Sequence, residues 1–251
     1  MAQSRNRLVE QTSLPDAQRC LTEEKAYLQA EIDAFEDFLN RLAEIPPHPY
    51  QTDGGPLHDT VYSQSPPSHT FQGAVETAYC ETVLAVEHWD DAYGEETVLE
   101  SITNEFGADV AAGLTGGSAT WSRLLWNELQ SASEVAIETR QQTLPILTVE
   151  RQQLEDLCES LAEIGDELAA IERGEYFFAE RSDRLTTIQE ELEELTYDQQ
   201  VYLRQRKPSD EGLFSSIVYV DLDTEYPGLA ALATARQLLD RIEVHHWAGK
   251  I

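Results

Sequence analysis

The chain has 251 residues, with 47 acidic and 17 basic side chains and a formal net charge of −30. Its 41% hydrophobic content is too high for a disordered chain, and the absence of any basic stripe argues against nucleic-acid binding. The acids are spread along the whole length, the pattern expected of a surface adapted to molar salt, where the Debye length shrinks to about 3 Å and self-repulsion is screened; the rival reading is an acidic DNA mimic or a protein of a low-salt cell.

The first element is a heptad helix over 14–45. Leu14, Leu21, Leu28, Phe35 and Leu42 fall seven apart. Ile32 and Leu39 occupy the alternate seam row, which Gln18 and Lys25 interrupt. Steps of three and four keep these side chains on one helical stripe, as a coiled coil requires. Pro46 and Pro47 end the helix. Residues 46–70 read as a Pro-rich loop, with Pro49, Pro56, Gly54, Gly55, Pro66 and Pro67. A loop of that length is unusual in a compact domain.

Short helices fill 71–117. One runs from near Phe71 through Val75, Ala78, Val83 and Val86, and the segment EHWDDAYGEE (87–96) breaks it. The next carries Val98, Ile102 and Phe106 and ends at Gly107. Gly113, Gly116 and Gly117 mark a further break, and Ser118 or Thr120 is placed to cap the next helix.

A long helical hairpin is expected over 118–206. Trp121, Leu125, Leu129, Ala132 and Ala136 sit at helical spacing, and Pro145 is expected to kink or end that run. Leu147, Leu154, Leu157, Leu161, Ile164, Leu168 and Ile171 then step mostly by threes and fours. Glu150 stands where a seam residue belongs. Gly174 and the segment EYFFAERSD make the turn. The partner helix starts near Asp183, with Leu185, Ile188, Leu192, Leu195 and Tyr202 on its seam and Gln199 as a polar interruption. Two such helices with a short link favour antiparallel pairing. Residues 208–251 read as an extended, β-like stretch, Ile217 to Val220, and then a helix from Pro227 to His246 with Leu229, Leu232, Leu238, Leu239 and Ile242. The whole is expected to be one all-α domain of long antiparallel coiled-coil helices, a smaller helical segment and a short C-terminal extended stretch.

The segment VETAYCETVLAVEHWDDAYGEETVLESITNEFGADVAAGL (75–114), the helix through Leu154 and Leu161, and the end VYVDLDTEYPGLAALATARQLLDRI resemble an uncharacterised family of haloarchaeal proteins, a domain of unknown function. Tyr79, Thr82, Val83, His88, Trp89, Tyr93, Glu105 and Phe106 carry the likeness. An aromatic residue succeeds the histidine in that family, usually Tyr; here it is Trp89. The resemblance spans about 15–245. It implies a helical fold and a halophilic source, and no activity.

Candidate chemistry is sparse. His88, Asp90 and Asp91, with Glu95 and Glu96 nearby, include competent ligands for a divalent cation. In so acidic a chain such clusters arise by chance, and a loop packed by Trp89 and Tyr93 is the preferred reading. Glu243 and His246 form one ExxH step, where a di-iron bundle uses two with further glutamates. His245 and His246 are read as a fraying surface pair. The glycines at 113, 116 and 117 make no phosphate loop, and no nucleophile context is recognisable. Trp121 and Trp126 read as core. Cys20, Cys80 and Cys158 read as free thiols. No apolar stretch reaches membrane-spanning length, and the N-terminal MAQSRNRLVEQ lacks an apolar leader core, so a cytoplasmic location is expected. No catalytic residue, cofactor or resident metal is assigned.

Two functions are compatible with these residues. The first is a helical scaffold or protein–protein interaction protein, joining a protein partner or itself through coiled coil. The second is a small-molecule- or metal-dependent regulator or enzyme with a site near His88. A pocket of converging polar groups at His88 favours the second. A filled core there, with exposed apolar surface elsewhere, favours the first.

Overall fold

The computed structural model describes residues 8–47, 68–94, 97–115 and 121–250. Among these there are nine α-helices and no strand: α1 (Leu14–Glu44), α2 (Ser68–Thr82), α3 (Trp89–Tyr93), α4 (Val98–Phe106), α5 (Ala108–Thr115), α6 (Arg123–Glu172), α7 (Phe178–Gln205), α8 (Pro208–Leu213) and α9 (Pro227–Trp247). The all-α expectation is met. Most of the 46–70 loop, Glu95, Glu96, Gly116, Gly117, Ser118 and Thr120 lie outside the described residues.

The chain packs as two compact units, one of Met1–Lys25 with Pro145–Ile251 and one of Ala26–Leu144. Helices α1 and α6 contribute residues to both.

In the first unit α6 and α7 form the expected antiparallel hairpin. Arg184 pairs with Glu167 near the turn, and Tyr202 donates to Glu150 (2.6 Å) further along. Leu147, Leu154, Leu157, Leu161, Ile164, Leu168 and Ile171 are all buried, as are Leu185, Ile188 and Leu192 of α7. Gly174 closes α6 at φ +74°. The Gly174 amide bonds the Ile171 carbonyl and the Glu175 amide bonds that of Ala170, the double cap that a left-handed glycine permits. α7 begins at Phe178, five residues before the expected Asp183. The polar residues of the α1 seam find partners on α6: Gln18 donates to Cys158 Sγ (3.4 Å) and Lys25 to Thr148 Oγ1 (3.3 Å). Helix α9 covers α7, with Leu232, Leu239 and Ile242 buried. A Cβ on Gly228 would meet the Gln199 side chain at 2.7 Å, so the polar interruption at 199 is matched by a residue with no side chain.

Three expectations are corrected here. Of the two outcomes expected at Pro145, a kink or an end, the end is corrected: α6 runs 50 residues through it. The lost i→i−4 bond falls on the Gln141 carbonyl. Both residues are exposed, and a backbone carbonyl without a ladder partner costs less where solvent reaches than where it is buried. The β-like run is helical instead: Phe214–Val218 is a π-turn closed by the Tyr219 amide on the Phe214 carbonyl (2.8 Å). With no second strand to pair, a helical turn buries Phe214, Val218 and Tyr219 on one side. His246 is not a fraying residue. It is fully buried, stacked on Phe178 (ring centroids 4.2 Å) and edge-on to Trp247 (4.8 Å). Burial, and secondarily the charge of Arg181, lowers its pKa below the ordinary histidine value.

The second unit is built on aromatic side chains. Phe35, Phe38, Tyr79, Trp89 and Trp121 form a core with Val75, Val83, Ile102, Leu125 and Leu129. Phe38, absent from the heptad reading, is fully buried, while Leu39 is only partly so. The indole N–H groups of Trp121 and Trp126 donate to the carbonyls of Pro46 (3.0 Å) and Leu42 (3.1 Å), tying α6 to the end of α1. Thr97 and Glu100 form a capping box at α4. Gly113 does not break the chain. It lies within α5, and a Cβ there would meet Leu125 at 2.7 Å, so it serves as a point of close helix approach. Ser122 accepts from the Leu125 amide (3.3 Å) at the start of α6.

Candidate functional site

His88 precedes the first turn of α3 and faces inward. Its Nε2 donates to Glu31 Oε1 (2.9 Å), and its ring stacks on Tyr27 at 4.0 Å. Tyr93, at the end of α3, donates to both oxygens of Glu31 (3.2 and 3.3 Å). Arg140 of α6 donates through Nε to Glu31 Oε2 (2.6 Å) and grips Glu105 of α4 with both terminal nitrogens (3.1 and 2.8 Å). Its guanidinium lies over the Phe35 ring at 4.7 Å. Glu31, at 2% exposure, is the hub of a network that pins α1, α3, α4 and α6 together.

The energetics follow from burial. A buried carboxylate is tolerable only when paired and hydrogen-bonded, and Glu31 receives donors from three side chains. Burial pulls the Arg140 pKa down, but hydrogen bonds and charge from Glu105 and then Glu31 outweigh it and hold it above the ordinary arginine value. The Tyr93 phenol is pushed up, first by burial and then by the Glu31 charge. The network consumes its own donors and acceptors. His88 resembles the carboxylate-oriented imidazole of a general base, yet it is only 7% exposed and one ring face is covered by Tyr27.

The structure divides the sequence candidates. His88 enters this network. Asp90 and Asp91 are exposed in the first turn of α3, and the acid brought to His88 is Glu31 instead. Among the described residues no group of three His, Cys, Asp or Glu side chains is placed to hold a metal ion. The residues of the family likeness do converge: Tyr79, Val83 and Trp89 are core, Thr82 is buried, Phe106 packs on them, and His88, Tyr93 and Glu105 join the network. Glu31 and Arg140 escaped the sequence reading, although each had a signal. Glu31 shares a stripe with Leu28, Phe35, Phe38 and Leu42, and Arg140 comes after Leu129, Ser133 and Ala136 at the same spacing.

A second buried carboxylate sits in the other unit. Glu150 accepts from Tyr202 (2.6 Å), from Tyr219 (2.9 Å) and from Arg206. Burial, then the Glu150 charge, raises the pKa of both tyrosines. Cys20, Cys80 and Cys158 are free thiols, and burial raises Cys20 and Cys158 above the ordinary thiol value.

The model of a family described as a domain of unknown function (DUF7260) matches residues 12–243, and the chain belongs to that family. No curated protein and no solved structure matches it.

Proposed function

We propose that this member of the family is a helical scaffold or protein–protein interaction protein, working in the cytoplasm of a halophile and engaging a protein partner or a second copy of itself. The observation that carries the reading is an exposed aromatic group where the α6–α7 turn meets the end of α9. Phe177 is 86% exposed, Phe178 51% and Trp247 67%, with the Phe178 and Trp247 rings 5.9 Å apart. A monomer gains nothing from leaving three large rings in water, whereas a protein partner gains their burial. The burial of His88 supports the same reading, because its hydrogen bond to Glu31 and its stacking on Tyr27 leave little of the ring for a substrate. The haloarchaeal source rests on the acidic composition, which in molar salt is tolerated without self-repulsion.

No helix of the described residues is long and apolar enough to cross a membrane. The metal- or small-molecule-dependent reading centred on His88 has less support, since Asp90 and Asp91 face away into solvent.

The test is light scattering on the full chain in molar KCl, with and without the cell extract's co-purifying proteins. A mass above that of one chain, or a stoichiometric bound partner, is expected. Phe177→Ser with Trp247→Ser removes two exposed rings and should abolish the association while leaving helix content unchanged. A wild-type chain that stays monomeric and free of partners overturns the proposal.

A further inference from the structure

We infer that the last turn of α9 is a pH-sensitive latch, in which protonation of His246 releases Trp247 from Phe178 and takes apart the exposed aromatic surface. As a control on association, the latch rests on the interaction reading above. It lies wholly within the first unit.

The His246 side chain has 0% exposure, and neither ring nitrogen has a hydrogen-bond partner among the described residues. The ring is stacked on Phe178 and edge-on to Trp247. A leucine or phenylalanine would fill that place without two unpaired polar atoms, so packing alone does not account for a histidine there. Protonation turns both nitrogens into donors and adds a charge where no acceptor receives it.

The charged group that faces the ring from α7 is Arg181, whose own Nε and Nη1 are buried without an acceptor. On α9 and just beyond it, Glu243, His245 and Lys250 are the titratable neighbours, and none of them hydrogen-bonds the ring. The carboxylates of the α6–α7 turn are engaged elsewhere: Glu175 accepts from Arg173 and Glu180 from Arg184. The two aromatic rings and the C-terminal dipole of α9 favour the cation, each modestly. Desolvation of an unpaired buried charge outweighs both, and the balance holds the ring below the ordinary histidine pKa, burial first and Arg181 second.

The closed turn therefore binds a proton more weakly than an open, solvated one. Closure is fully favoured above about pH 6.5, the unperturbed histidine value. Below it the closed-to-open ratio falls by up to about tenfold per pH unit, until the folded value is passed. Ordinary carboxylates titrate near pH 4, beneath this window. The moving element is a single turn, ended by the Gly249 amide on the His246 carbonyl, and Trp247 is already 67% exposed, so its release strips few contacts.

The full chain in molar KCl is followed by NMR from about pH 7.5 to about pH 5, reading the His246 Cε1–H and the Trp247 indole N–H. The Trp247 signal should move with the His246 midpoint, below about 6.5, and His246→Phe should hold it still. His246→Gln, polar but non-titrating, is the second variant and should behave likewise. Light scattering should show association lost at the acid end in wild type and kept in His246→Phe. The inference is overturned by a wild-type Trp247 signal that stays put, by a response that survives in the variants, by a His246 midpoint at or above about 6.5, or by wild-type association that persists at the acid end. A chain that is monomeric at both ends of the range fails the interaction reading alone, because the Trp247 signal still decides the latch.

Discussion

Arg140→Ala removes the cation that separates Glu31 from Glu105. Glu31 is 2% exposed and the Glu105 side chain 17%, so the mutant would keep two carboxylates close together in a poorly solvated place. Breaking a buried pair by deleting one partner costs about 3–5 kcal/mol. Loss of the guanidinium over Phe35 adds about 0.5–1 kcal/mol. A destabilisation of about 3.5–6 kcal/mol is therefore expected, a large share of the roughly 5–15 kcal/mol typical of a domain. Tryptophan fluorescence during urea unfolding in molar KCl is the suitable assay, because Trp89, Trp121 and Trp126 all belong to the 26–144 unit. Combining Arg140→Met with Glu31→Gln and Glu105→Gln removes the charges together and should recover more than half of the loss. Should Arg140→Ala unfold outright, Arg140→Lys, which keeps the charge without the forked geometry, supplies a milder comparison. A change below about 1 kcal/mol for Arg140→Ala would refute the view that this network is a structural pin.

Leu161 is fully buried and Glu163 exposed on another face of α6; Leu161→Ala should cost about 2–5 kcal/mol and Glu163→Ala about 0.5 kcal/mol or less, and equal thermal shifts would break the assigned register. The −30 charge should loosen the fold as the Debye length grows to about 30 Å at roughly 0.01 M salt; a circular-dichroism signal that stays flat from molar KCl to dilute buffer would remove the halophilic reading. Tyr93, Tyr202 and Tyr219 all have pKa values raised in the fold by burial and a neighbouring glutamate. Their unfolded values are near 10, so the stability they confer is complete below about pH 10 and is lost as the pH rises from there through the raised folded values. Tyr219→Phe should flatten that alkaline slope, and an unchanged slope would contradict the assignment. His88→Ala should release no bound metal from protein purified without chelator, and stoichiometric zinc, iron or manganese lost in the variant would restore the ligand-site reading.

Much of the fold was legible because helices advertise themselves through spacing. The ends of α1 and α9, the buried row from Leu147 to Ile171 and the oddity of Glu150 all emerged from steps of three and four. The misreadings share a cause: local preference lost to packing. Pro145 reads as a kink or an end, and the helix runs on through it; Ile217–Val220 reads as a β-like extended stretch, and a π-turn buries Val218 and Tyr219 there instead. The site was half legible. His88 stood out, but a loop histidine among many acids gave no means of choosing Glu31, 57 positions away, over Asp90 and Asp91 beside it. A lone charge on an apolar stripe says that a partner exists, and only the tertiary fold says which one.

Glu150 and Leu161 are both fully buried, both on α6 and both within one unit. Each residue added to a helix turns everything beyond it by about 100°. One insertion or deletion between positions 150 and 161 would therefore swing either the carboxylate away from Tyr202 and Tyr219 or the leucine out of the core, however conservative the inserted side chain. Substitution at the exposed Gln152 alters a single surface hydrogen bond to Asp156, whereas a change of length there severs a buried contact. That stretch of α6 thus acts as a ruler: open to changes of residue on its solvent face and closed to changes in their number.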